Sequence, residues 1–427
     1  RHGAAQRPCV STFQAFEAFI DPYKHLIRAL YDEYVQENWI KKWPAAKQTQ
    51  IEESVVYDEP RFDRIKMMVK RETQHKMPSK ARAIQYYENY AAQAATGPQV
   101  TAAQKAYTRL FYRLGDHIRV TFASGMNQRQ LGSWMEEVLA DYAFPNFYER
   151  DGKNWDSSMS EVHHKLKMRC FECMDKQAFD DINKAFKVRC TAPFPTGVLK
   201  YSLTGTTKSG HNDTTLGNSL VNAAIAYCSM QKRGLMGDIL VAGDDLIIVV
   251  EGDFDEHALA DVERTYGITP EYRKFTDLND ITFISGCWLK GRRGLVFTPL
   301  PGRLLSKLFW TTNIPPPRKR RDYLHSVVAG ISAVIGDMPI LSKFLEVNDP
   351  GGKIVQVDSR YCYLEGTKPR ILPESFQYRY DLTPSDIASA ERFLESFRGQ
   401  VGLISHPVLD VILQKDCGDI GERPVHE

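Results

Sequence analysis

The stretch Ile239-Leu240-Val241-Ala242-Gly243-Asp244-Asp245-Leu246-Ile247-Ile248-Val249-Val250 sets two apolar runs on either side of one glycine and two acids. Runs this apolar around so short a polar break read as two buried strands joined by a tight hairpin. Adjacent carboxylates at a tip walled by Ile, Leu and Val are costly unless cations neutralise them. Oxygen-only ligation suits Mg²⁺, which is commonly held by one or two carboxylates together with substrate phosphates. An exposed acidic turn is the bland alternative, and Gly-Asp-Asp arises by chance in roughly one chain of this size in ten.

Upstream, Phe144-Pro145-Asn146-Phe147-Tyr148-Glu149-Arg150-Asp151 reads as a short strand ending on an Asp, and Asp156 follows five residues later. If that strand lies beside the hairpin, three carboxylates converge, the arrangement that lets two metal ions activate an attacking oxygen and stabilise a leaving one. Between these elements lies Ser209-Gly210-His211-Asn212-Asp213-Thr214-Thr215-Leu216-Gly217-Asn218. Ser-Gly, a Thr four residues after the Gly and an Asn four later should coincide in only about a few chains per thousand. Thr214 and Asn218 stand at i and i+4, so a helix presents hydroxyl and amide on one face. Ser209 and Gly210 read as a mobile loop at its start, and Gly234 as the cap that ends it near Arg233.

The rest of the chain is organised around this centre. The first hundred residues read mainly as helix, with Asp21-Pro22 opening a run from Tyr23 to Lys42 that stops at Pro44. Arg61 to Gln85 is basic and less regular, with eight Lys/Arg and two acids between Arg61 and Arg82. Ala102–Leu114, Gln128–Tyr142, Ser158–Val188 and Phe254–Tyr266 carry helical patterns. Ile281–Leu289 and Leu295–Thr298, joined through Lys290-Gly291-Arg292-Arg293-Gly294, suggest a second hairpin. From Pro301 the punctuation changes and a separate C-terminal lobe is expected, with the basic run Arg318-Lys319-Arg320-Arg321 after a triple proline.

Composition removes other classes. The 427 residues are 43% hydrophobic and 25% charged, which excludes wholesale disorder. No run of eighteen apolar residues is present. A start at Arg1 rather than Met suggests part of a longer product, with any membrane anchor outside it. A net charge of +2 implies no nucleic-acid partner by itself; the distribution of charge matters more. Eight cysteines are scattered, and Cys170/Cys173, the one close pair, reads as buried thiols rather than a zinc site.

In the order Asp-x4-Asp, Ser-Gly-x3-Thr-x3-Asn, Gly-Asp-Asp, these elements resemble motifs A, B and C of the RNA-dependent RNA polymerases of positive-strand RNA viruses. The form Ser-Gly-x3-Thr-x-Leu-Gly-Asn is most similar to the tombusvirus-like branch, then to the noda-like polymerases. Lys70-Arg71-Glu72 with Lys76, Lys80 and Arg82 looks like motif F, the basic segment over the incoming triphosphate. Lys274 sits where motif D carries its Lys, and Phe283-Ile284-Ser285-Gly286-Cys287 resembles motif E, which grips the primer end. The resemblance runs from about Ile65 to Phe297.

What the resemblance implies is an α+β right-hand polymerase with an antiparallel palm sheet and mainly helical surroundings. Residues 1–143 would form the N-terminal region and fingers, 144–300 the palm with a fingers insertion at about 158–208, and 301–427 the thumb. It implies two Mg²⁺ ions, with Mn²⁺ as a substitute, on Asp151 and Asp244, and Asp245 in support. Lys274 would be the proton donor. Asp156, Ser209, Gly210, Thr214, Asn218, Lys70, Arg71, Lys80 and Arg82 would hold the nucleotide. RNA template and product would contact Lys290, Arg292, Arg293 and Arg318 to Arg321. Other replicase segments are expected partners, in a replication complex in the host cytoplasm, with membrane contact outside this segment. A reverse transcriptase shares the palm but usually has an aromatic residue at the Asp156 position. A non-catalytic RNA-binding replicase subunit would keep the basic patches without needing all three carboxylates.

Overall fold

The computed structural model describes residues 7–70, 82–311, 314–354, 368–397 and 405–418. They divide into two compact units, one of residues 7–70, 82–125 and 144–274, the other of 126–143 and the described residues from Phe275 onward. Each has its own hydrophobic core. No described helix is long and apolar enough to cross a membrane.

In the first unit, β1 (Arg64–Val69) and β2 (Ala83–Tyr87) pair antiparallel. β3 (Ile118–Phe122) and β4 (Pro145–Gly152) follow, then β5 (Lys187–Phe194) and β6 (Gly197–Thr204). β5 lies parallel to β1 and antiparallel to β6, giving a sheet of order β2-β1-β5-β6. β7 (Gly237–Ala242), β8 (Asp245–Glu251) and β9 (Pro270–Phe275) complete a five-stranded sheet of order β3-β7-β8-β4-β9. The β7–β8 hairpin expected from the two apolar runs is present, and β8 pairs antiparallel with β4. Ile239, Leu240, Val241, Ile247, Ile248 and Val249 have no exposure, as continuous apolar runs require when both sheet faces are covered.

The structure departs from expectation in several places. The sheet is not wholly antiparallel, because β3 runs parallel to β7. A parallel neighbour needs a long crossover, and the chain from β3 to β7 supplies one. The Ser158–Val188 pattern is two helices, Glu161–Cys170 and Lys176–Lys184, after which β5 begins. The Tyr23–Lys42 run breaks into the helix Lys24–Tyr34 and a 3₁₀ turn at Trp39–Lys42.

The second unit contains the expected hairpin as β10 (Gly286–Gly291) and β11 (Gly294–Pro299), paired antiparallel. Its helices include Arg320–Ile335, Pro373–Tyr380, Pro384–Ser396 and Pro407–Cys417. The compact division cuts elsewhere than at residue 301, because the helix Gln128–Asp141 packs on this hairpin. Gln128 Nε2 donates to Phe297 O at 2.9 Å and to Val334 O at 2.8 Å, and Trp288 Nε1 donates to Leu131 O at 2.9 Å. A buried ion pair holds the last helix, with Arg379 Nη2 3.1 Å from Asp416 Oδ1 and Tyr380 Oη donating to Asp416 Oδ2 at 2.7 Å.

Candidate active site

β4 and the β7–β8 hairpin bring the motif acids together through register. The last paired residues of β4 and β8 are Arg150 and Leu246. One step further along the same register sets Asp151 level with Asp245, across a strand spacing of about 4.8 Å. Gly243 takes φ +66° at the turn, the left-handed region that glycine enters without a Cβ penalty. The helix Thr214–Lys232 braces that turn from below. Ser219 Oγ accepts from Gly243 N at 2.7 Å, and Asn222 Nδ2 donates to Gly243 O at 3.0 Å and Asp244 O at 2.9 Å. Ser219 and Asn222 are buried, so the backbone of the acidic turn is fixed while Asp244 and Asp245 stay exposed.

Asp156 follows in the short helix Trp155–Ser158. Its Oδ1 accepts from Asn218 Nδ2 at 2.9 Å, and Thr207 Oγ1 donates to Asn218 Oδ1 at 3.0 Å. Asp156 and Asn218, both expected to hold the nucleotide, are therefore in direct contact with each other. Burial, and then the nearby Asp244 charge, push the Asp156 carboxyl above the usual carboxylate range, against a hydrogen bond from Asn218 that lowers it.

The Ser209–Gly210 loop is docked rather than loose. Gly210 N donates to Gln85 O at 2.8 Å, and Ser209 Oγ lies 3.4 Å from both Gln85 N and Ala83 O on β2. A Cβ at position 210 would stand 2.6 Å from Gln85 O, so only glycine lets the loop lie this close to the strand. His211 stacks on Tyr87 with ring centroids 4.1 Å apart, and burial lowers its pKa to about 4. Thr214 Oγ1 lies 2.6 Å from Lys208 O and 2.9 Å from His211 O. Its hydroxyl is thus committed to the loop backbone. Thr207, not Ser209 or Thr214, supplies the hydroxyl beside Asn218.

Two further groups stabilise this loop. Asp213 is buried against Lys167, Nζ to Oδ2 2.5 Å, which outweighs its burial and brings its pKa down to about 2. The Lys208 ammonium donates to the carbonyls of Gly205 at 2.6 Å, Phe186 at 3.1 Å and Thr206 at 3.2 Å, and burial lowers its pKa to about 8.

The basic candidates are more dispersed. Lys70 and Arg82 face each other at the open end of β1 and β2, with Lys70 N donating to Arg82 O at 2.7 Å. Arg71 and Lys80 lie outside the described residues. Lys274 on β9 is paired with Asp253, whose hydrogen bond raises the Lys274 pKa. In the second unit, Lys290, Arg292 and Arg293 are exposed at the end of β10 and its turn, and Arg318 to Arg321 are exposed where the helix Arg320–Ile335 begins. Cys170 and Cys173 are buried, and burial raises both thiols, as the thiol reading expected.

Among the described residues, no three His, Cys, Asp or Glu side chains are gathered at metal-ligand spacing. The motif acids stand on neighbouring strand ends, Asp151 beyond the last β4–β8 pair and Asp244 and Asp245 at the β7–β8 turn. Neither the Asp151 nor the Asp244 carboxylate has a hydrogen bond or ion pair among the described residues. Exposed, unpaired acids of this kind fit a Mg²⁺ site completed by substrate phosphates, which differs from an all-protein cage.

Thr207, Ser219, Asn222, Lys167 and Lys208 were not singled out from the sequence. Asn222 carried a signal, because it is four residues beyond Asn218 on the same helix face. A family model for viral RNA-dependent RNA polymerase matches residues 68–382. The RNA-directed RNA polymerase of Pariacoto virus is 24% identical over 245 residues, which cover 54% of this chain and 25% of that protein. That of Melon necrotic spot virus is 23% identical over 148 residues, covering 34% of this chain and 19% of that protein. The matched stretch thus spans a quarter or less of either relative's length.

Proposed function

Since the chain belongs to the viral RNA-dependent RNA polymerase family, we propose that it carries out template-directed RNA synthesis, adding nucleotides from triphosphates to an RNA 3′ end. The observation that carries the reading is the meeting of Asp151 with the braced Gly243–Asp245 turn, beside the Asp156–Asn218 pair. In the reaction the 3′-hydroxyl loses its proton to solvent, its oxygen bonds to the α-phosphorus, the bond from that phosphorus to the pyrophosphate oxygen breaks, and pyrophosphate leaves. Asp151 and Asp244, supported by Asp245, would hold two Mg²⁺ ions or Mn²⁺ in their place, which when bound neutralise charge on the attacking and leaving oxygens.

The chain's own residues do the rest. Ser219 and Asn222 keep the acidic turn from shifting as charge develops, since preorganised groups need no reorganisation during reaction. Asp156, oriented by Asn218 and Thr207, faces the ribose. Lys70 and Arg82, with Arg71 and Lys80, would contact the triphosphate, beside Ser209 and Gly210. Lys290, Arg292, Arg293 and Arg318 to Arg321 would contact RNA phosphates. A cationic run at a helix start opposes the helix dipole, which favours an external anion as its partner.

We assign residues 1–143 to the N-terminal region and fingers, 144–300 to the palm with its insertion, and 301–427 to the thumb of a right hand. The setting would be a replication complex in the host cytoplasm, with other replicase segments as partners. Primer extension on an RNA template, with ribo- and deoxynucleotides compared, tests the reading. Mg²⁺-dependent incorporation of ribonucleotides is the expected result. Preferential use of deoxynucleotides would favour a reverse transcriptase, and RNA binding without synthesis a non-catalytic subunit.

The Lys274 ammonium, held charged by Asp253, is proposed to donate a proton to the leaving pyrophosphate. Lys274→Leu should slow single-turnover incorporation by about 100-fold or more, the range of general acid catalysis, while nucleotide affinity changes less than about threefold. An unchanged rate, with Arg273 or Lys290 variants failing instead, would remove Lys274 from that role.

A further inference from the structure

Arg150 is the residue of β4 immediately before Asp151, and Trp155 immediately precedes Asp156. Strand alternation turns Arg150 to the face opposite Asp151, and there its side chain is fully buried. Its Nε lies 3.4 Å from Glu263 Oε1, also fully buried, and its guanidinium carbon is 5.4 Å from the Trp155 ring centroid. Glu263 belongs to the helix Glu256–Thr265. The buried hydroxyl of Tyr272, on β9 two residues before Lys274, interacts with both charges.

None of the guanidinium nitrogens or the Glu263 oxygens has a well-formed hydrogen bond among the described residues. Burying both charges costs desolvation that attraction at this distance does not fully return, so core stability alone gives no reason for the pair. What a buried charge pair can supply is a single register between the elements that carry its two ends.

We propose that the Arg150–Glu263 pair is a positioning device for catalysis: it fixes the end of β4, and with it Asp151 and Asp156, against the helix Glu256–Thr265 that leads into β9. The proposal rests on the catalytic reading above. A shift of about 1 Å at Asp151 is enough to lower a phosphoryl-transfer rate about 100-fold without touching substrate contacts.

The test is the double variant Arg150→Met/Glu263→Leu, which removes both charges at similar volume. Its Tm should stay within about 5 °C of wild type, since such replacements are often neutral. Single-turnover incorporation should fall at least about tenfold with the KM for nucleotide within about twofold. Mn²⁺ affinity, measured by electron paramagnetic resonance without substrate, should fall about fivefold or more, as when groups that orient metal ligands are lost. Arg150→Lys, which keeps a charge, should recover part of both losses. A folded double variant with wild-type rate and Mn²⁺ affinity would overturn the proposal. If the double variant does not fold, Glu263→Gln decides on the same two readouts. Asp244→Asn is the control: a wild-type chain that neither makes RNA nor binds Mn²⁺ through Asp244 would sink the catalytic reading itself, and this proposal with it.

Discussion

Asp244→Asn is expected to lower nucleotide incorporation by at least about 1,000-fold, the loss of a metal-borne stabilisation of transition-state charge. RNA binding should change by less than about threefold, because phosphate contacts come mainly from Lys and Arg. The substitution preserves shape, and the Asp244 backbone carbonyl keeps its bond from buried Asn222, so the turn should stay folded. What it removes is an exposed, unpaired anionic charge beside Asp151. Asp151→Asn should act alike, since register brings that carboxylate to the same turn. Asp245→Asn should be milder, or dependent on whether Mg²⁺ or Mn²⁺ is supplied. Single-turnover extension of a labelled primer, with Tm measured alongside, makes the comparison. Robust Mg²⁺-dependent synthesis by Asp244→Asn would remove that residue from the site.

Much of this centre is legible in the sequence. Local pattern carries a hairpin such as β7–β8, because two apolar runs around Gly-Asp-Asp have few other ways to fold. The helix Thr214–Lys232 declared its end through Gly234, which takes φ +63° just beyond it. The missed features are non-local. Ile118-Arg119-Val120-Thr121-Phe122 alternates correctly for a strand, yet its partner β7 lies more than a hundred residues away. Nothing near it in sequence identifies a parallel edge. Thr207 looked like loop, and only the approach of Asn218 gives its hydroxyl a task. Lys208 was equally hidden, since lysine is almost never fully buried unless paired; the carbonyls of Gly205 and Thr206 are near it in sequence, but that of Phe186 is brought to it only by the fold. The contact between Asp156 and Asn218 changes what the same residues are expected to do.

With both amide atoms of Asn218 engaged, the amide oxygen by Thr207 and the amide nitrogen by Asp156, Asn218 would be an orienting group and Asp156 the one left to meet the sugar. A 2′-hydroxyl both donates and accepts, so a carboxylate held in place can take its proton as a hydrogen bond. A site built for that bond disfavours the analogue lacking the hydroxyl, because its own polar group is left unpaired. Asp156→Ala should therefore reduce kcat/KM for ribonucleotides by about 10- to 100-fold, the worth of one hydrogen bond to a charged group, while deoxynucleotides change less than about threefold. Asn218→Ala should give a smaller loss of the same kind, by letting the carboxylate swing. The two should not add, and Asp156→Ala/Asn218→Ala should resemble Asp156→Ala, as expected when one residue acts through the other. Matched ribo- and deoxynucleotides on one template, in wild type and all three variants, supply the measurement. Equal losses for both sugars would mean that the pair holds the Trp155–Ser158 turn to the Thr214–Lys232 helix and reads nothing.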